Sequence, residues 1–183
     1  PERQRYLVER LRTWLAALVE GGHLPPRDRA AGGRALAHLG DPRPGVQIPS
    51  PLLAGESPGV GVGVPDIVWC EVPAGEFTMG TRKEDIPALM KEYGGSREWY
   101  EYETAQLKLN LPAFLIARYP VTNAQFDAFV EAGGYRDAHY WKEAAAQGWW
   151  KEGGKFKGRY DDEPRERPYD FGSPFNLSNH PVV

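Results

Sequence analysis

Cys70 is the side chain with the most versatile chemistry in this sequence, because a thiolate can act as nucleophile, redox centre or soft metal ligand. Its neighbours argue against that use. The run Ile67-Val68-Trp69-Cys70-Glu71-Val72 is β-branched and aromatic, so Cys70 is expected to be a buried, unreactive strand residue. A single cysteine also rules out an internal disulfide and a cysteine-rich metal site. The four histidines, His23, His38, His139 and His180, are scattered, and no two have the spacing of a helical or hairpin metal pair. His38 and His139 read as surface or packing residues. Glu101, Glu103, Asp161, Asp162 and Glu163 are the obvious carboxylates for calcium or acid–base work. The last three sit among Lys155, Lys157, Arg159, Arg165 and Arg167, which favours a solvated loop of mixed charge. Trp99, Tyr100, Tyr102, Tyr140, Trp141, Trp149 and Trp150 could line a groove, but in a loop-rich chain they are expected to fill the core. Asn176-Leu177-Ser178 has the form of a glycosylation sequon and reads as chance. These residues assign no catalytic, cofactor-binding or metal position, and the reading leans away from an enzyme.

The elements that must carry these residues change character along the chain. Of 183 residues, 41% are hydrophobic and 26% charged, a globular balance, while 21 Gly and 17 Pro point to a loop-rich fold. The net charge of −3 gives no reason to expect nucleic acid as a partner. Neither a signal peptide nor an apolar run long enough to span a bilayer is evident, and a reducing cytoplasm is the expected location. Arg-rich helices and proline-rich connectors are compatible with a thermophilic, bacterial source.

Residues 1–40 read as a helical segment. Tyr6, Leu7, Leu11, Trp14, Leu15 and Leu18 share a stripe over residues 2–20, ended by Gly21-Gly22, and a second helix runs from Pro26 to Leu39. Two short helices bury little alone, so the pair is expected to pack on another domain or a partner. Residues 41–65 read as a Pro/Gly-rich linker, with Asp41-Pro42-Arg43-Pro44-Gly45 and Pro58-Gly59-Val60-Gly61-Val62-Gly63. From residue 66 short strands take over. Ile67–Val72 and Phe77–Met79 are expected to form a hairpin through the turn at Pro73–Glu76. A short helix over Asp85–Tyr93 follows. Leu107, Leu109 and Leu111 alternate as in a half-buried strand, and Phe114–Ala117 reads as a more buried one. Thr122 and Gln125 have capping-box spacing ahead of Phe126, Phe129 and Val130, and Gly133-Gly134 stops that helix. A further helix is expected near Asp137–Gln147.

Val72-Pro73-Ala74-Gly75-Glu76-Phe77-Thr78-Met79-Gly80 resembles the opening hairpin of the formylglycine-generating, or sulfatase-modifying-factor, family. Tyr119-Pro120-Val121-Thr122-Asn123-Ala124-Gln125-Phe126 resembles that family's strand-to-helix junction. Phe129–Tyr135, Trp141 and Asn179-His180-Pro181-Val182-Val183 then follow in the family's order. The resemblance implies an α+β, C-type-lectin-like domain over 66–183, present as its N-terminal portion. It implies that family chemistry, a cysteine pair with copper oxidising a target cysteine, sits in a C-terminal half. Copper or calcium would enter only through ligands from that half, which is also the expected partner, present in the same chain or as a separate nicked chain. Residues 66–183 are accordingly not expected to be stable alone. The functional expectation is a ligand-binding or display protein with an unknown protein ligand, such as a diversity-generating retroelement variable protein. A formylglycine-generating oxidase and an effector or sensor module of a multidomain protein are the alternatives. The lack of a His-x-x-x-Glu pattern in the N-terminal helices weighs against the related iron-dependent sulfoxide synthases.

Overall fold

A computed structural model describes residues 2–46 and 65–183. The stretch Pro58–Gly63 and the rest of 47–64 lie outside the described residues. The chain forms two compact units, one from residues 1–68 with 117–183 and one from residues 69–116. Helix and strand are mixed throughout.

In the first unit, α1 (Glu2–Glu20) and α2 (Pro26–Leu39) have the bounds that periodicity predicts. Pro26 stands at the first turn of α2, where its missing N–H costs nothing, and Gly40 ends the helix at φ 88°. Helix α1 turns Ala16 inward and α2 turns Leu36 inward. The helices approach closely at Gly32, where a Cβ would come 2.9 Å from the Val19 side chain. The apolar stripe of α1 points outward: Leu7, Leu11, Trp14 and Leu18 are 44–57% exposed.

The beginning of the expected linker is built into this unit. Asp41 and Val46 are 4% and 2% exposed. A Pro/Gly-rich stretch reads as connector because it cannot form ladder hydrogen bonds, but side chains satisfy its backbone here, as described below.

The first unit also holds α5 (Asn123–Glu131), a 3-10 turn (Ala138–Trp141), α6 (Lys142–Ala146) and the antiparallel pair β5 (Trp150–Lys151) and β6 (Lys155–Phe156). The single helix expected near Asp137–Gln147 is thus a 3-10 turn running into one short α-helix. Rings of Phe126, Phe129, Tyr135, Tyr140, Trp141 and Phe156 touch in series at centroid separations of 4.8–6.4 Å. The Trp141 and Trp150 indoles donate to the Gly134 and Tyr135 carbonyls at 2.8 and 2.7 Å. A Cβ at Gly134 would fall 2.2 Å from the Phe129 ring, so any larger residue there must displace that ring.

The second unit contains β1 (Trp69–Val72), β2 (Gly75–Met79), a 3-10 turn (Lys83–Asp85), α3 (Ile86–Tyr93), α4 (Arg97–Tyr102), β3 (Leu107–Leu111) and β4 (Phe114–Ala117). The expected β1–β2 hairpin does not form: β1 pairs with β4 and β2 with β3. Register explains the preference. Antiparallel pairing places Phe77 opposite Leu109 and Met79 opposite Leu107, giving one apolar face. Glu76 and Lys108, on the other face, form an ion pair at 2.7 Å. Two further expectations fail. Phe114, Leu115 and Ile116 are 43–59% exposed, and Cys70 is exposed rather than buried. Strand composition records what a strand is able to bury, not whether a second layer covers it.

Candidate functional site

The candidate site begins at the N-terminus of α5. Thr122 and Gln125 form the full capping box: Thr122 Oγ1 accepts from the Gln125 N–H at 3.3 Å, and the Thr122 N–H donates to Gln125 Oε1 at 3.0 Å. The Asn123 and Ala124 N–H groups donate to the His180 and Ser178 carbonyls at 2.8 and 3.0 Å. All first-turn donors are therefore engaged, and this helix end holds no vacant anion site.

Behind the cap lies a buried polar network that joins four distant stretches, residues 33–46, 66, 122–125 and 179. The Gln125 amide donates to the carbonyls of Gly45 at 3.1 Å and Asp66 at 2.8 Å. Thr122 Oγ1 donates to the Val46 carbonyl at 2.8 Å. Asn179 Nδ2 donates to the Gly33 carbonyl at 2.9 Å and to Asp41 Oδ2 at 2.8 Å. Arg43 grips the same Asp41 carboxylate from Nε at 2.9 Å and Nη2 at 2.6 Å. Burial alone would raise the Asp41 pKa, but the hydrogen bonds from Arg43 and Asn179 outweigh it and hold the carboxyl below its usual value. Sequence reasoning missed this network. Its available signal was the Asp-x-Arg spacing at 41 and 43, which lets one carboxylate take both a backbone N–H and a guanidinium.

In front of the cap is a cavity of about 140 Å³ in the first unit. Asn123 and Asp127 on α5 form one wall, and Arg167, Tyr169, Asp170 and Phe171 belong to the loop facing them. Asn123 Nδ2 donates to the Phe175 and Leu177 carbonyls at 3.2 and 3.0 Å, fixing the wall to the C-terminal segment. Asp170 accepts from the Gly172 N–H at 2.7 Å, which holds the loop in a tight turn. The Tyr169 and Phe171 rings sit edge to face at 4.7 Å. Among the described residues neither Arg167 nor Asp127 forms an ion pair. The cavity thus presents one guanidinium, two side-chain carboxylates and three aromatic rings, those of Tyr169, Phe171 and Phe175.

The residues singled out by type alone are not brought together. Cys70 lies on β1 of the second unit. Glu101 pairs with Arg97 at 2.7 Å, and Glu103 accepts from Thr81 at 2.9 Å. Asp161 pairs with Arg165 at 3.0 Å and accepts from the Gly158 N–H at 2.7 Å, a loop-stabilising arrangement. Among the described residues no three His, Cys, Asp or Glu side chains form a metal-type cluster. His38 and His139 are exposed, whereas His180 is half-buried and its pKa is lowered, first by burial and then by the Arg34 charge. Of the aromatic residues expected to fill the core, Trp150 does so, while Trp99, Tyr102, Tyr140 and Trp149 are exposed. Among the described residues no helix is long and apolar enough to cross a membrane.

The sulfatase-modifying factor enzyme 1-like domain model matches residues 61–182, and the chain belongs to that family. Two hercynine oxygenases are similar over shorter stretches. The protein of Mycolicibacterium thermoresistibile is 36% identical over 72 residues, covering 33% of this chain and 16% of that one. The protein of Mycobacterium tuberculosis is 31% identical over 83 residues, covering 37% and 19%. The chain therefore matches less than one fifth of the length of either relative.

Proposed function

We propose that this chain is a ligand-holding module on a C-type-lectin-like fold, and that the cavity before α5 takes a small zwitterion. The observation that carries the reading is that Arg167 and Asp127, both unpaired among the described residues, and the Tyr169 and Phe171 rings all line one cavity. A guanidinium takes a carboxylate in bidentate fashion. A carboxylate beside aromatic rings takes an ammonium by charge and by cation–π attraction. A volume of about 140 Å³ suits a compound of amino-acid size rather than a larger ligand. Glycine betaine is a suitable probe, because choline lacks its carboxylate and 3,3-dimethylbutyrate replaces its nitrogen by carbon at the same shape. Chemical-shift perturbation of α5 and loop 167–171 by betaine, with neither analogue acting, supports the reading; equal response to all three refutes it.

The C-type-lectin-like fold is part of this proposal, supported by the nested pairing of β1 with β4 around β2 with β3 and by the family match. A second reading, an oxygenase acting on hercynine, is supported by the names of both relatives. It predicts that the whole protein consumes oxygen when hercynine is added, and no consumption sinks it.

A further inference from the structure

Helix α1 carries a feature that neither the cavity nor the family fold uses. Leu7, Leu11, Trp14 and Leu18 recur at alternating spacings of four and three, and fall within an arc of about 60° on the helix surface. Their exposures are 54, 44, 57 and 49%. Helix α2 occupies a different face of α1, the one that includes Ala16 and Val19. The stripe is thus a seam with coiled-coil spacing that the described residues of this unit do not cover. Arg3 and Arg10 border it on its solvent side. The Arg10 guanidinium lies 4.5 Å from the Trp14 ring centroid and 5.7 Å from that of Tyr6. Among the described residues neither Arg3 nor Arg10 has a carboxylate partner, whereas Arg12 pairs with Glu9 at 2.9 Å.

We infer that α1 docks a partner helix whose apolar residues follow the same four-three spacing and whose flanking positions are acidic. Knob-into-hole packing requires the matching period. The arginine border sets the sign of the flank, because charges beside a seam select the partner. A second copy of α1 in parallel register would bring Val8 and Leu15 of the other copy against Arg3 and Arg10, so self-pairing supplies neither guanidinium with a carboxylate.

The test uses the intact chain and two labelled three-heptad peptides with leucine at every seam position, one with glutamate and one with lysine at the flanks. Fluorescence anisotropy should show the glutamate peptide binding at least tenfold more tightly, and more weakly as salt rises. The chain carries a net charge of −3, so non-specific attraction would favour the lysine peptide instead. Arg3→Glu with Arg10→Glu should reverse the preference, and Leu11→Ser, an exposed change checked by circular dichroism, should abolish binding. Equal affinity for both peptides, or none for either, overturns the inference. A dimer in light scattering that Leu11→Ser dissociates also overturns it, by assigning the face to a second copy.

Discussion

Removing the Asp41 carboxylate tests the buried network more sharply than any other substitution. The Asp41 side chain is fully buried and that of Arg43 is 12% exposed. In Asp41→Ala the guanidinium loses a bidentate partner at 2.6 and 2.9 Å, and Asn179 Nδ2 loses one of its two acceptors. Breaking a buried pair from one side costs about 3–5 kcal/mol, because the remaining charge is left uncompensated. For a chain of this size that corresponds to a fall of roughly 6–20 °C in Tm. Denaturant unfolding of the intact chain at pH 7 reads the first quantity, and a thermal scan reads the second. Asp41→Ala with Arg43→Ala should recover part of the loss, since no orphan charge remains, and the cycle should return a coupling above about 1.5 kcal/mol. A single-mutant loss below about 1 kcal/mol would place the pair with ordinary surface ion pairs and refute the idea that residues 41–46 are structural.

Three further outcomes follow from neighbouring contacts. Thr122→Ala removes the cap of α5 and the bond to Val46, and should lower unfolding free energy by about 1–2 kcal/mol with the helix otherwise retained. Gly134→Ala drives a methyl group into the Phe129 ring and should cost about 1–3 kcal/mol, with altered near-ultraviolet circular dichroism from the aromatic cluster. The folded state lowers the His180 pKa, so it favours the neutral ring. Its contribution is therefore present above the ordinary histidine value of about 6.5 and is lost as pH falls through the lower folded value. Replacing His180 with Gln should flatten Tm against pH in that window, and an unchanged slope would contradict the assignment.

Much of the helical structure was legible because helices announce themselves locally. Apolar period, terminal glycines and the Thr122–Gln125 spacing predicted α1, α2 and α5 with their ends. Strand partners were not legible, because pairing is decided by register between segments about thirty residues apart; Phe77 opposite Leu109 outcompetes a local turn at Pro73–Glu76. Burial was the weakest inference. The α1 stripe, Cys70 and Phe114–Ile116 all have core-type composition yet are exposed, since composition does not say what covers a face. The polar network was hidden for a related reason. Asp41, Gln125 and Asn179 are ordinary surface residue types, and only the fold brings positions up to 138 residues apart within 2.8 Å. Of the cavity lining, Asn123, Arg167, Asn176, Val182 and Val183 were noted in the sequence for other reasons, and nothing in their spacing pointed to Asp127.

The most direct test of the ligand-holding role is calorimetric titration of glycine betaine into the intact chain and into Arg167→Ala. The cavity reading predicts saturable one-to-one binding that weakens at least tenfold when the guanidinium is removed, with the fold unchanged by circular dichroism. No binding to the intact chain, or equal binding to both proteins, would contradict it.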